Sequence, residues 1–250
     1  MAAASATGFR GLWAFSYTEF YVQGHEWLSI GTSLIVQAIL LIFVGILAPS
    51  LLGVALLGAI VFSIFTLGQR VQNEAAYIRI DHKLNELYLA SPLSAESYFL
   101  GMSIGILAAY LLPILLLVGL TVYLVGMSVV TALLLVAVGA AVWVITSSIG
   151  YVVSTLFRDM RAIWPYASIF HNVFGVLPPV FYPIGLLPAN LRVPALLMPP
   201  SAATSLLQWS VHPGVLSYGE VAIAGTALFV EAALLFVFAV AWARRTVRES

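Results

Sequence analysis

The side chains able to do chemistry in this sequence are few and far apart. Histidines stand at 25, 82, 171 and 212, a scatter that offers no metal site, and the absence of cysteine removes thiolate ligands, a thiol nucleophile and disulfides together. Lys83 is the sole lysine and lacks the glycine-rich setting of a phosphate-binding loop. No His-Glu-x-x-His pair and no Gly-x-Ser-x-Gly elbow occurs. The chain is therefore expected to have no catalytic residue, to bind no metal or cofactor of its own, and to be no enzyme. Any energy from nucleotide hydrolysis has to arrive from another chain.

What remains is a handful of polar groups inside apolar runs, where each one is costly and needs a reason. Glu231 is the only acid deep within such a run, roughly 18 Å from one end at 1.5 Å per residue. His171, followed by Asn172, and Gln37 each lie roughly 14 Å from the opposite ends of their runs. These four are expected to meet near mid-height. They either line a polar pathway or form a mutually satisfied pair that only fixes packing.

The elements that would position them are membrane helices. Hydrophobic residues make up 62% of the chain and charged ones 8%, against about a quarter charged in soluble domains. Ten acidic and ten basic residues cancel, so no global field points to nucleic acid. Spans of about 20 apolar residues are expected at 28–47, 51–69, 99–121, 129–151, 162–182 and 219–243. The expected fold is all-α: a single transmembrane domain over 1–250 with six helices. Arg10, Arg70, Arg79, Lys83, Arg158, Arg161, Arg244, Arg245 and Arg248 fall on one side of that layout and Arg192 alone on the other. Positive charge stays cytoplasmic, so both termini are expected inside. The start of the sequence lacks the basic and apolar regions of a signal peptide and is expected to be mature.

Three further segments have a character of their own. In 9–27, Phe9, Leu12, Trp13, Tyr17, Phe20 and Tyr21 recur at helical spacing, with Arg10, Glu19, Gln23 and Glu26 between them. An amphipathic helix lying on the cytoplasmic membrane face is expected there. The most polar stretch, 80–94, holds Leu84, Leu87 and Tyr88 as one apolar stripe and leaves Asp81, Lys83, Asn85 and Glu86 free for water or a partner. Asp81 can cap a short helix that Ser91-Pro92 ends, and Ser94 can cap the next span. The segment 178–213 carries eight of the twelve prolines yet stays apolar. Short re-entrant helices on the outer face are expected there, as a gate or as a packing cap, with Phe181, Tyr182 and Leu197 as gate residues. Within the third span Ser97, Gly101, Gly105 and Ala109 form a small-residue ridge for another helix, and Pro113 predicts a kink.

The order of these features resembles the type-2 membrane subunits (permeases) of ATP-binding-cassette transporters over essentially the whole chain. The resemblance rests on the amphipathic first helix, on Leu-Ala-Ser-Pro-Leu-Ser-Ala-Glu-Ser-Tyr at 89–98, on Phe157-Arg158-Asp159-Met160-Arg161, and on Pro-Val-Phe-Tyr-Pro-Ile-Gly-Leu-Leu-Pro at 179–188. It implies an exporter subunit in the plasma membrane that forms a pathway for an amphiphilic drug or lipid-like substrate. A second membrane subunit, expected to be an identical copy, would complete that pathway. It also implies a coupling helix at 81–90, with Asp81, Lys83, Leu84, Glu86, Leu87 and Tyr88 docking on a cytoplasmic ATPase subunit that binds ATP and Mg. The Arg-Asp-Met-Arg turn and Pro-Val-Phe-Tyr-Pro are also similar to members that export lipid-linked polysaccharide. The competing class is an ion-gradient-driven transporter or channel; few intramembrane charges and no inverted repeat of broken helices weigh against it.

Overall fold

Apolar runs this long satisfy their backbone in lipid only as helices, and helices are what form. The computed structural model describes residues 2–81 and 93–249, and every regular element among them is helical. In chain order these are α1 (Ala2–His25), α2 (Trp27–Leu47), α3 (Leu52–Ile80), α4 (Ala95–Ala109), α5 (Leu111–Leu124), α6 (Val129–Leu156), α7 (Met160–Gly175), α8 (Ala189–Leu196), α9 (Pro199–Val211) and α10 (Tyr218–Glu249). Short 3-10 turns occupy Pro49–Leu51 and Ile184–Leu186. Local chemistry sets several starts. The hydroxyls of Ser94 and Ser128 accept from the backbone N–H groups of Ser97 and Thr131, and the carboxylate of Asp159 accepts from that of Arg161.

Four helices (α2, α3 with its leading turn, α6 and α10) are long and apolar enough to cross a membrane, and a fifth crossing follows if α4 and α5 count as one bent span. That pair bends by 49° at Tyr110. Pro113 stands three residues on and has no N–H to give the carbonyl of Ala109, which accounts for the expected kink. The expected fifth span, 162–182, needs correction. Its helix α7 ends at Gly175 after 16 residues, about 24 Å at 1.5 Å per residue, because Pro178 and Pro179 cannot continue the ladder. The chain instead turns through 176–183.

The core lies around α3, which packs on α6, α7, α9, α5, α4 and α2. Its closest approach, to α6, is made by glycine on both sides. A Cβ on Gly68 would sit 2.4 Å from the carbonyl oxygen of Thr146, and one on Gly150 would sit 2.1 Å from that of Gly68. Farther along, a Cβ on Gly58 would lie 2.1 Å from the carbonyl oxygen of Val180, so the proline-rich segment rests on the same helix. Backbone-to-backbone packing of this kind is how membrane helices gain dispersion energy without a hydrophobic drive between them.

The small-residue ridge on α4 does receive a helix, and it is α1. Gly101 faces Leu12 and Phe15, and Gly105 faces Ser16 and Glu19, so the two helices run side by side in parallel. The outcome differs from the expected amphipathic arrangement. Phe9, Trp13, Tyr17, Phe20 and Tyr21 are exposed, whereas Ser16, Glu19 and Gln23 are buried. The aromatic face of α1 is left for an apolar surround while its polar face turns inward.

At the arginine-rich end, polar ties lock the helices together. Arg79, near the end of α3, donates to the carbonyl oxygens of Ser154 and Phe157 at 2.5 Å each, placing a cation at the C-terminus of α6. The indole of Trp242 on α10 donates to the hydroxyl of Thr155 at 2.9 Å, and Arg244 forms an ion pair with Glu96 on α4.

Candidate functional site

A cleft of about 340 Å³ opens between α2, α3 and the α4–α5 break, with Trp164 of α7 at its edge. Its polar lining comes from Thr32, Ser33 and Gln37 on α2, from Ser63, Thr66, Gln69, Arg70 and Asn73 on α3, and from Tyr110 at the break. The helix periodicity explains the set. Residues 63, 66, 70 and 73 follow one another at three- and four-residue steps, so they share one face of α3. Apolar walls are supplied by Leu34, Val36, Phe62, Leu67, Pro113 and Ile114.

Its hydrogen bonds divide the cleft in two. In the upper part the amide of Gln37 donates to the Ser63 hydroxyl at 3.2 Å, which in turn donates to the carbonyl of Ala59 at 2.8 Å. In the lower part Arg70 donates to the Ser29 hydroxyl at 2.6 Å, and its guanidinium carbon lies 5.0 Å from the centroid of the Tyr110 ring, a cation–π contact. Tyr110 also donates to Ser29 at 3.4 Å. The amide oxygen of Asn73 is buried with no hydrogen-bond partner among the described residues.

One turn beyond Arg70, the polar face of α1 meets α3. Gln23 donates from its amide to the Glu74 carboxylate at 2.8 Å. Glu19 is buried to 3% exposure, and one of its carboxylate oxygens has no partner among the described residues. Burial, with the Glu74 carboxylate adding repulsion, pushes the Glu19 carboxyl up to about 8. It is therefore largely protonated at neutral pH.

The residues singled out by sequence fall in separate places. Gln37 is buried and lines the cleft. His171 is buried on α7, bonded at 2.8 Å to the carbonyl of Ala167 and packed between the rings of Phe65 and Phe170. Ser63 and Phe65, which these two touch, are about 200° apart around α3. Gln37 and His171 are thus on different sides of it. Asn172 is exposed. Glu231 is half-buried on α10, which packs on α6, α9, α4 and α8, whereas α7 packs on α3 and α9. The structure does not bring His171 and Glu231 together within the chain, because they sit on helices that do not share a face.

In the proline-rich segment Phe181 meets Phe62 edge-on at 5.5 Å, and the Tyr182 hydroxyl donates to the carbonyl of Leu177. Leu197 is 49% exposed, and it is its neighbour Leu196 that is fully buried. Asp81 is exposed at the end of α3; Lys83, Leu84, Glu86, Leu87 and Tyr88 lie outside the described residues.

Sequence reasoning missed two polar groupings. Glu19 and Gln23 are expected only as the polar side of a helix on the membrane face, and Ser16 is not singled out, because the partner of Gln23, Glu74, is 51 residues away. On α9, the side-chain oxygens of Ser201, Thr204 and Ser205 and both polar atoms of Gln208 are buried without partners among the described residues, as are the hydroxyls of Ser147 and Ser148 on α6. The i, i+3, i+4, i+7 spacing of the α9 set was a readable signal of one polar helix face.

The family model described as ABC-2 type transporter matches residues 11–211. No curated protein and no solved structure matches the chain.

Proposed function

The chain belongs to the ABC-2 type transporter family and is the membrane subunit of an ABC transporter; from that premise we propose that it works as an exporter of an amphiphilic, drug- or lipid-like substrate. The observation that carries this reading is the family match over residues 11–211, joined to a bundle with several helices long and apolar enough to cross a membrane. ATP, with Mg, is bound and hydrolysed on separate ATPase subunits of the partner complex. The segment 80–94 couples to them, with Asp81, Lys83, Leu84, Glu86, Leu87 and Tyr88 making the contact. Support for that route comes from Arg79, which ties the α3 end of the segment to the C-terminus of α6 and so links any push there to a second helix. Both termini face the cytoplasm of a plasma membrane.

Two copies of the chain enclose the pathway. Long apolar faces on α2 and α10 remain uncovered in one copy, with 11% and 17% of their most apolar stretches buried. The cleft beside α2 receives the polar end of the substrate, so Gln37 is the pathway residue the geometry supports best. The proline-rich segment, resting on α3 through Gly58 and Val180, closes the outer end.

Purification of the chain with its associated proteins tests the reading. It predicts an ATP-binding-cassette subunit in the complex and vanadate-sensitive ATP turnover only when both are present. A chain that moves substrate in proteoliposomes on an ion gradient alone contradicts it.

A further inference from the structure

The lower half of the cleft offers a cation and an unanswered acceptor one helical turn apart. Arg70 lines the cavity and has no ion-pair partner among the described residues. Of its five N–H donors, one is used on Ser29, and its π-face contact with Tyr110 consumes none. Glu74, one turn away, is not part of the lining, and its carboxylate accepts from Gln23. A guanidinium beside apolar walls is costly unless an anion answers it. Three residues on, the buried amide oxygen of Asn73 has no donor among the described residues. A ligand that satisfies both must bring an anionic acceptor group together with an O–H or N–H donor, and a headgroup hydroxyl is such a donor.

The cavity and its surroundings set the rest of the ligand. About 340 Å³ is room for roughly ten waters at 30 Å³ each, enough for a compact headgroup and too small for a lipid tail. Val36 lines the cleft and also belongs to the uncovered apolar stripe of α2 that continues through Ile39, Ile42, Phe43 and Ile46. An acyl or prenyl tail leaving the cleft has that stripe to lie on.

We propose that this cleft binds the hydroxyl-bearing, phosphate-type anionic headgroup of a membrane amphiphile, with Arg70 holding the phosphate and Asn73 accepting from a headgroup hydroxyl. That the bound amphiphile is cargo rests on the exporter reading; that it binds does not.

Binding is therefore measured on the purified full chain in nanodiscs, without ATP, using a fluorescent short-chain phosphatidylglycerol against the matching phosphatidylcholine. The expected result is a preference of about tenfold or more for phosphatidylglycerol, the scale of a charge-assisted hydrogen bond. Arg70→Gln abolishes that preference, and Asn73→Leu reduces it. Arg70→Lys, which keeps the charge if the first variant fails to fold, retains part of it. Inorganic phosphate at tens of millimolar does not displace the lipid. Equal binding of the two lipids, an unchanged preference in folded Arg70→Gln, or displacement by inorganic phosphate alone overturns the proposal. Selective binding by a chain that associates with no ATPase contradicts the exporter reading and leaves the headgroup site standing.

Discussion

Helices α2 and α3 follow each other in the chain and their most apolar stretches are about equally apolar, yet 61% of that stretch of α3 is buried and 11% of that of α2. Hydrophobicity therefore does not decide which membrane helix becomes the core. Close approach does. Gly68 and Gly58 of α3 meet backbone on two sides, at Thr146 and at Val180, whereas a Cβ on Gly31 of α2 would meet nothing within 4 Å. In lipid an apolar side chain gains little by leaving one hydrocarbon surround for another, so helices sort by how tightly their backbones can pack. The outcome is a fixed central helix and a peripheral one with a polar cleft between them.

The sharpest way to break this contrast is to add a methyl group to each side. Gly150→Ala forces its new Cβ against the Gly68 carbonyl, an overpacking expected to cost about 1–3 kcal/mol, or a lowering of the unfolding midpoint by about 3–10 °C. Gly31→Ala is expected to leave the midpoint unchanged or raise it slightly, since alanine is the better helix former by about 0.5–1 kcal/mol. Thermal unfolding in one detergent reads both. Equal effects would remove glycine packing as the reason for the central position of α3.

A second contrast lies within the proline-rich segment that leans on α3. A thiol-reactive probe applied from outside is expected to label a cysteine at Asn190, which is exposed, much faster than one at Leu196, which is fully buried. Equal fast rates would reduce the segment to an ordinary loop and discard the gate.

The smallest expected effect is confined to α1. The Glu19 carboxyl, raised from 4.5 to about 8 by burial and by Glu74, binds a proton more tightly folded than unfolded. Its contribution is therefore fully favourable below about 4.5 and is lost as pH rises toward 8. Hydrogen exchange in α1 is expected to quicken, beyond the intrinsic pH effect, between pH 6 and pH 8.5 in the parent chain, and much less in Glu19→Gln. The same excess in both would place the titration elsewhere.

Much of this was legible in the sequence because it was local. The spans at 28–47 and 129–151 coincide closely with α2 and the body of α6, Ser94 caps where its hydroxyl can reach Ser97, and Pro113 stands beside the bend it causes. The Gly101–Gly105 ridge announced a helix partner but not its identity, because nothing in a ridge names α1. The fifth span was read too long because the composition of 176–182 is apolar, although Pro178 and Pro179 stop the helix at Gly175. The cleft was harder still. Its polar atoms are contributed by residues from Thr32 to Trp164, and only Gln37 stood out, since arginine and asparagine at a helix end read as an ordinary boundary.

The central claim is that α3 carries a push from the segment 80–94 into the bundle, and one measurement tests it most directly. ATP hydrolysis is compared in the assembled complex of the parent chain and of the Lys83→Glu, Glu86→Lys double variant, with insertion and subunit association checked in both. Loss of substrate-stimulated hydrolysis in a variant that still assembles is the predicted result. Unchanged stimulated hydrolysis would contradict the coupling role of 80–94 and, with it, the path through Arg79 and α3.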